Sequence, residues 1–186
     1  THKVLVDPFL TGNPVASVKA DDVECDYILV SHAHGDHLGD APSIAARTGA
    51  KIVSTPEVIS VCESQTLAEI ASCPMNIGGS LNLPFGKVRM TFAQHSAGVA
   101  GGIACGFVVY IGGRTVYYAG DTALFSDMQL IGRKDSIDYA VLPIGDNYTM
   151  GLEDAAMAAQ WVNAGHVIPV HYNTWPVIKQ EARHYK

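Results

Sequence analysis

The sequence predicts a single layered domain, residues 1–186, that combines α-helices with β-sheets. Short apolar runs with β-branched residues alternate with helical patterns along the 186 residues, which is typical of strands and helices packed in layers. Groups of histidine and aspartate follow several of these runs, and the pair Gly112-Gly113 marks a β-hairpin. These observations favour an α+β fold with two halves of strands and helices, long enough to bury a substantial core.

The composition limits the functional classes. Hydrophobic residues make up 48% of the chain, and no apolar run approaches the ~20 residues that span a bilayer. The formal net charge is −6 without any run of Lys or Arg, so no preformed basic surface for a long nucleic acid is expected. The four cysteines have no CxxC spacing, which favours reduced thiols and a cytoplasmic location. They are Cys25, Cys62, Cys73 and Cys105.

The first predicted element is a strand from Lys3 to Val6, which ends at Asp7 and Pro8. A domain that began with this strand would expose the edge of a sheet. We therefore expect the native protein to have at least one further strand before it.

Candidate metal ligands are most closely spaced in the stretch from Ser31 to Asp40, SHAHGDHLGD. It places four candidate metal ligands within six residues, directly after the apolar run from Tyr27 to Val30, a predicted buried strand. A helix is predicted after it, with Asp40 as its N-cap and Gly49 as its stop. Because layered folds gather their chemistry at the carboxyl ends of strands, this loop is the predicted site.

The spacing within this stretch suits metal ions. His32 and His34 are two residues apart, so in an extended segment their side chains point the same way and can share one ion. The turn at Gly35 lets Asp36 and His37 face a second ion. Imidazole and carboxylate suit zinc and other first-row divalent metals. The alternative is a chance grouping among the 8 histidines of the chain.

The remaining elements follow from apolar patterns and turn residues. Predicted strands cover 51–54, segments of 80–92, 107–111, 115–119, 137–144 and 167–170, and predicted helical segments lie within 56–70, 123–130 and 153–163. His95, Asp121 and His171 each come just after one of these strands. Asp121 has a second interpretation, as the N-cap of the helix predicted from Ala123.

The motif HAHGDH resembles the HxHxDH signature of the metallo-β-lactamase fold superfamily at every specified position. Four further segments, VDPFLTGNP, YYAGDTALFSDM, LPIGDNYTMGLEDA and PVHYNTWP, resemble an uncharacterised branch of metal-dependent hydrolases, related to sugar-phosphate lactonases and tRNase Z-type nucleases. The resemblance extends from Val4 to about Lys179, and the tail from Glu181, which includes His184, does not share it. It implies a four-layer αββα sandwich that is incomplete at the N-terminus.

The resemblance also implies a centre of two divalent metal ions. The expected ions are Zn²⁺ first, with Mn²⁺ or another first-row metal as the alternative. The implied ligands are His32, His34 and His95 for the first ion, Asp36, His37 and His171 for the second, and Asp121 as the bridge. Asp7 resembles the first acidic residue of the family, which orients a histidine by a hydrogen bond; its alternative is a turn-former before Pro8.

Such a centre lowers the pKa of a bridging water, and the hydroxide attacks a phosphorus atom or a carbonyl carbon. Asp36 is the candidate catalytic residue because it is placed to orient that nucleophile. Tyr148 and Tyr172 are candidates for a general acid. A serine nucleophile is excluded because no GxSxG motif is present.

Three functions stay open at this stage. Hydrolysis of phosphodiesters, with a small molecule or a short oligonucleotide as substrate, is favoured because the implied ligand set includes the bridging carboxylate. A lactonase or other carbonyl-ester hydrolase would use the same site. A di-iron oxygen-reducing or non-catalytic metal-binding protein is the third, but that branch typically carries a carboxylate where this chain has His34.

Overall fold

The computed structural model describes residues 2–181 of the chain, so the tail with His184 lies outside the described residues. The chain divides into two compact units, and each contains one sheet and its own helices. Unit 1 comprises the residues up to Gly79 together with Ser96–Ile103, and unit 2 comprises Ser80–His95 and the residues from Ala104 onward.

The sheet of unit 1 has four parallel strands, and three helices belong to the same unit. In sheet order the strands are β1 (Val4–Val6), β2 (Tyr27–Leu29), β3 (Lys51–Ser54) and β4 (Ser72–Pro74), and the helices are α1 (Gly35–Leu38), α2 (Ala41–Thr48) and α3 (Pro56–Ser64). The apolar sides of β2, β3, α2 and α3 form one buried core that includes Ile28, Ile44, Ile52 and Val58. This burial provides the main driving force for the unit.

The sheet of unit 2 has six strands, and two helices accompany it. The strands are β5 (Ser80–Leu83), β6 (Gly86–Phe92), β7 (Cys105–Ile111), β8 (Arg114–Tyr118), β9 (Tyr139–Pro143) and β10 (His166–Val170), and the helices are α4 (Met128–Lys134) and α5 (Leu152–Trp161). β5 to β8 pair antiparallel, whereas β8, β9 and β10 pair parallel. A separate core of buried residues, including Tyr117, Leu142 and Ile144, fills this unit.

The predicted strands are confirmed, and so are two predicted turn signals. Gly112 and Gly113 both have positive φ, 57° and 75°, and join β7 to β8, which is the conformation that a tight hairpin turn needs. Gly49, with φ of 75°, ends α2 in the left-handed conformation. All four cysteines are free thiols. Within residues 2–181, every helix is too short or too polar to cross a bilayer.

Three local predictions are corrected by the structure. The stretch 31–40 is not wholly a loop, because α1 makes one helical turn in it. Asp40 does precede α2, but its carboxylate does not cap that helix. The predicted helix at 123–130 begins only at Met128, since residues 123–125 are irregular and Ser126 and Asp127 form a turn. Asp121 is therefore not a helix N-cap.

Candidate metal centre

The histidine motif lies where β2 leaves the sheet. Val30, Ser31 and His32 continue the buried path of β2, and the side chain of His32 is 0% exposed. His34 is still extended, and α1 begins at Gly35, so the chain reverses direction directly after the second histidine. One strand end and one helical turn therefore bring the predicted ligands of unit 1 together. We refer to His32, His34, Asp36 and His37 as the histidine cluster.

The rings of His32 and His34 are oriented as ligands of a shared ion require. Nε2 of His32 lies 2.9 Å from Nδ1 of His34. The other nitrogen of each ring meets a serine hydroxyl, with Nδ1 of His32 at 2.9 Å from Ser31 Oγ and Nε2 of His34 at 3.4 Å from Ser96 Oγ. Oxygen partners on the outer nitrogen fix the tautomer and direction of metal-binding histidines. This donor set fits a divalent metal ion.

Asp7 holds the third histidine from the end of β1. Its Oδ2 accepts a hydrogen bond from Nδ1 of His37 at 2.7 Å, and the two side chains are only 3% and 5% exposed. Oδ2 also accepts from the Ser31 hydroxyl at 2.5 Å, and Oδ1 accepts from the Ser31 amide at 2.7 Å. The prediction that Asp7 orients a histidine is confirmed. Nε2 of His37 then remains on the side of Asp36 Oδ2, 3.7 Å away.

The electrostatics of Asp7 agree with this arrangement. Burial by itself would raise the pKa of the Asp7 carboxyl, but the charge and hydrogen bond of His37 and the hydrogen bond of Ser31 hold the pKa below its ordinary value. Asp7 therefore stays ionised and keeps accepting. Its backbone φ is +42°, in the left-handed region that residues other than glycine adopt rarely. That strain is typical of functional positions.

Unit 2 contributes a second group of predicted ligands, which we name the Asp121 cluster: His95, Asp121 and His171. Oδ2 of Asp121 lies 3.2 Å from Nε2 of His171 and 3.7 Å from Nε2 of His95. Asp121 itself is only 3% exposed. The three residues follow β6, β8 and β10, so strand ends far apart in sequence bring two imidazoles to one carboxylate oxygen.

Two local features hold the Asp121 cluster in place. The Thr122 hydroxyl accepts from the Gln94 amide at 3.0 Å, and the Ala123 amide donates to the Gln94 carbonyl at 3.1 Å. These bonds join the loop of Asp121 to the residue before His95. His171 has φ of +54°. The strained histidine packs against Gly145, where a Cβ would lie 2.2 Å from the His171 carbonyl oxygen.

The loop after His171 surrounds a cavity of about 490 Å³. Its lining residues are Tyr172, Asn173, Thr174, Trp175, Pro176, Lys179, Gln180 and Glu181. Asn173 closes the loop, since its side chain accepts from the Gln180 amide at 2.8 Å and donates to the Gln180 carbonyl at 3.1 Å. The volume lies within the usual range of small-molecule sites, ~300–1,000 Å³. Of the two candidates for a general acid, Tyr172 lines this cavity, whereas Tyr148 is 56% exposed.

Sequence reasoning missed two participants, Ser31 and Ser96. Ser31 and Ser96 are each next to a predicted ligand in sequence. This position is a weak indication that the serine hydroxyl could bind the ring nitrogen of a histidine. The contact of Ser96 is with His34, 62 residues away. No local pattern could indicate that pairing.

The chain belongs to the beta-lactamase superfamily: residues 2–172 match the family described as the beta-lactamase superfamily domain. It is 48% identical over 184 residues to a UPF0173 metal-dependent hydrolase of Natranaerobius thermophilus, covering 99% of this chain and 82% of that protein. It is 50% identical over 184 residues to the UPF0173 metal-dependent hydrolase STH3160 of Symbiobacterium thermophilum, covering 96% and 80%. Within the superfamily, the chain is a metal-dependent hydrolase.

Solved structures agree. A metallo hydrolase of the archaeon Ignicoccus hospitalis, Igni18, superposes with a TM-score of 0.89 at 35% identity, over 98% of this chain and 80% of that one. An isothiocyanate hydrolase from Delia radicum gut bacteria superposes with a TM-score of 0.77 at 19% identity, over 99% and 83%, and shows the fold alone. The predicted metallo-β-lactamase fold, an α+β architecture, is confirmed, and clusters of histidine and aspartate that could hold metal are present.

Proposed function

We propose that the histidine cluster and the Asp121 cluster together hold two divalent metal ions and that the centre hydrolyses phosphodiesters. The proposed ligands are His32, His34 and His95 for one ion, Asp36, His37 and His171 for the other, and Asp121 between them. One observation carries the proposal. In the histidine cluster, each of the three imidazoles has one ring nitrogen bonded to an oxygen, while its other ring nitrogen lies beside another candidate metal ligand.

This pattern differs from that of buried histidines with a purely structural role. A structural histidine in a core satisfies both ring nitrogens with stable hydrogen bonds. In this chain, the hydrogen-bond partner of Nε2 of His32 is another imidazole nitrogen, Nδ1 of His34, at 2.9 Å. Two imidazole nitrogens at that distance compete for a single proton, whereas a divalent ion satisfies both. The family's metal dependence agrees with this interpretation.

When bound, two divalent ions activate water at neutral pH and stabilise the attacking and leaving oxygens of an in-line displacement. The residues of the chain then have distinct tasks. Asp7, Ser31 and Ser96 keep the three imidazoles of the histidine cluster oriented. Asp36 lies beside His37 with its side chain 25% exposed, so it is accessible to orient the attacking water. Zn²⁺ is the first choice of metal and Mn²⁺ the second, because the donors are imidazole and carboxylate.

The proposed substrate is small. The net charge of −6 offers little attraction to a long polyanion. The cavity of about 490 Å³ that the loop after His171 lines has the volume of a small-molecule site. Small diesters or short oligonucleotides therefore fit better than structured RNA. The same charge is compatible with a lactone or another carbonyl ester, which the same nucleophile would open. That function is the alternative.

The test compares three substrate classes on protein loaded with Zn²⁺ or Mn²⁺. Bis(p-nitrophenyl) phosphate, short single-stranded oligonucleotides and a lactone panel are assayed with the native chain, with His32→Ala and with His166→Ala. His166 is a matched control, since it stacks on Tyr139 at 5.2 Å rather than joining either cluster.

We expect metal-dependent diester cleavage that His32→Ala abolishes and His166→Ala leaves intact. Lactone turnover without diester cleavage, equally sensitive to His32→Ala, would replace the proposed substrate by the alternative. Activity that survives His32→Ala would refute the proposed centre.

A further inference from the structure

Asp40 is tied to a segment that lies about thirty residues earlier in the chain. Its Oδ2 accepts from the amides of Leu10 and Thr11, at 2.9 and 2.8 Å. Its own amide donates to the carbonyl of Pro8 at 2.8 Å. Asp40 thus binds residues 8–11, which follow β1, with both its side chain and its backbone, although its position in sequence is that of a helix N-cap.

The residue before Asp40 allows this close contact. Gly39 has φ of +43°, and a Cβ built on it would lie 2.4 Å from the Pro8 carbonyl oxygen. Any side chain would push the two segments apart. The Gly39-Asp40 pair therefore forms a contact that fixes the backbone of residues 8–11 against the end of the histidine motif.

Asp7 directly precedes residues 8–11, and its position matters because it binds His37. Asp7 has the strained φ of +42°, and such a conformation persists only where its surroundings restrain it. On one side the Asp7 amide donates to the Leu29 carbonyl at 3.0 Å. On the other side the restraint comes through Pro8 and Leu10, which Asp40 holds. The Asp7 carboxylate in turn holds Nδ1 of His37 at 2.7 Å.

The ionisation of Asp40 is consistent with a held carboxylate. Burial would raise its pKa, but hydrogen bonds from Thr11 and from the Leu10 amide outweigh burial and keep the pKa below its ordinary value. Both amides use the same oxygen. Asparagine retains one oxygen of this kind, so it can reproduce the contact without the charge.

From these contacts we propose that Asp40 is a positioning residue for the metal centre: it holds residues 8–11 so that Asp7 meets His37. The consequence for metal affinity rests on the proposed function, whereas the consequence for the Asp7–His37 hydrogen bond does not. Asp40 has no contact with a proposed ligand through its carboxylate. It acts through Asp7, which itself binds the proposed ligand His37.

The experiment uses the full chain and the variants Asp40→Ala, Asp40→Asn and Asp138→Ala. Asp138 is the matched control, because its carboxylate also accepts from a backbone amide, that of Thr115 at 2.8 Å, but it lies in unit 2 before β9. Three quantities are measured: amide exchange at Leu10 and Thr11, the ¹⁵N and ¹H resonances of the His37 ring in metal-free protein, and stepwise Zn²⁺ affinity. Asp40→Leu supplies the same deletion if the alanine variant does not fold.

We expect Asp40→Ala to accelerate exchange at Leu10 and Thr11, to remove the Nδ1–H resonance of His37 and to weaken one Zn²⁺ site about tenfold, the lower end of outer-shell effects. Asp40→Asn should recover all three, and Asp138→Ala should change none. Faster exchange with an unchanged His37 resonance overturns the proposal, and so does an equal loss of Zn²⁺ in Asp138→Ala. If the native chain binds no Zn²⁺, the proposed function fails, and the His37 resonance alone decides the role of Asp40.

Discussion

Replacing Asp7 by asparagine tests the orientation of His37 most directly. The Asp7 carboxylate accepts three hydrogen bonds, two from Ser31 and one from His37. An asparagine whose oxygen keeps the Ser31 amide places its NH₂ group against Nδ1 of His37. His37 then regains a hydrogen bond only if Nδ1 loses its proton and Nε2 carries it. Nε2 is the nitrogen that must be free to bind metal.

The size of the effect follows from the bonds that are lost. A hydrogen bond to a charged group contributes about 1.5–3 kcal/mol, and an unsatisfied buried donor costs about 1–3 kcal/mol. Asp7→Asn loses one or two charge-assisted bonds, so we expect a loss of about 2–4 kcal/mol in the free energy of unfolding. For the ion on His37 we expect a loss of affinity near the upper end of the 10–100-fold range for such partners.

The assay combines urea denaturation of metal-free protein, Zn²⁺ titration against a chromophoric chelator, and ¹⁵N chemical shifts of the His37 ring. Asp138→Asn is the control, since it replaces a partly exposed hydrogen-bonding carboxylate in unit 2. The reasoning is refuted if Asp7→Asn binds Zn²⁺ as the native chain does and His37 keeps its proton on Nδ1. A loss of stability without a change of tautomer would reduce Asp7 to a structural role.

Three further predictions concern other parts of the chain. Asp121→Ala should lower the metal content below the proposed two ions per chain and reduce hydrolysis at least ~100-fold, because the metal contribution is several kcal/mol and each 1.36 kcal/mol is tenfold. Elemental analysis measures the metal, circular dichroism shows whether the variant is folded, and a fully active variant would contradict the prediction. Cys62 should resist iodoacetamide at neutral pH until the protein unfolds, because burial, followed by the charge of Glu63, raises the pKa of its thiol to about 12; peptide mass spectrometry reads this, and modification of native protein would disprove it. The charge of Asp40 should stabilise the native chain fully above pH 3.8, its ordinary pKa, and this contribution should be lost as the pH falls through its lower folded pKa. Urea denaturation at pH 7 and pH 3 should show that the native chain and Asp40→Asn differ less in free energy of unfolding at the lower pH. An equal difference at both pH values would count against the prediction.

Much of the fold was predictable because its signals are local. The apolar run that became β2 and the glycine pair between β7 and β8 require only a few adjacent residues to be recognised. The candidate ligands were predictable for a related reason, since the HxHxDH spacing places several donors in one short segment. His95, Asp121 and His171 followed from the resemblance and from their places after strands. That the seven residues form one centre, and that the chain is a single domain, stay predictions.

The start of α4 and the role of Asp40 were not predictable in the same way. The residues from Ala123 have a helical pattern, but residues 123–125 are irregular, a turn follows at 126–127, and the helix begins at Met128. Asp40 has the sequence position of an N-cap, yet its carboxylate binds Leu10 and Thr11. In both cases a local preference competes with contacts elsewhere in the chain, and the local preference is worth only about 1 kcal/mol.

The sequence by itself determined which residues are candidate metal ligands, because residue type and spacing decide what can bind a metal. Only the tertiary structure decided how those residues are held. Ser31 and Asp7 are 24 residues apart, and Ser96 and His34 are 62 apart. A hydrogen bond requires a donor–acceptor distance correct to a few tenths of an ångström and a suitable angle. For residues so far apart in sequence, the packing of strands and loops fixes both the distance and the angle. The orientation of each histidine is therefore a property of the fold.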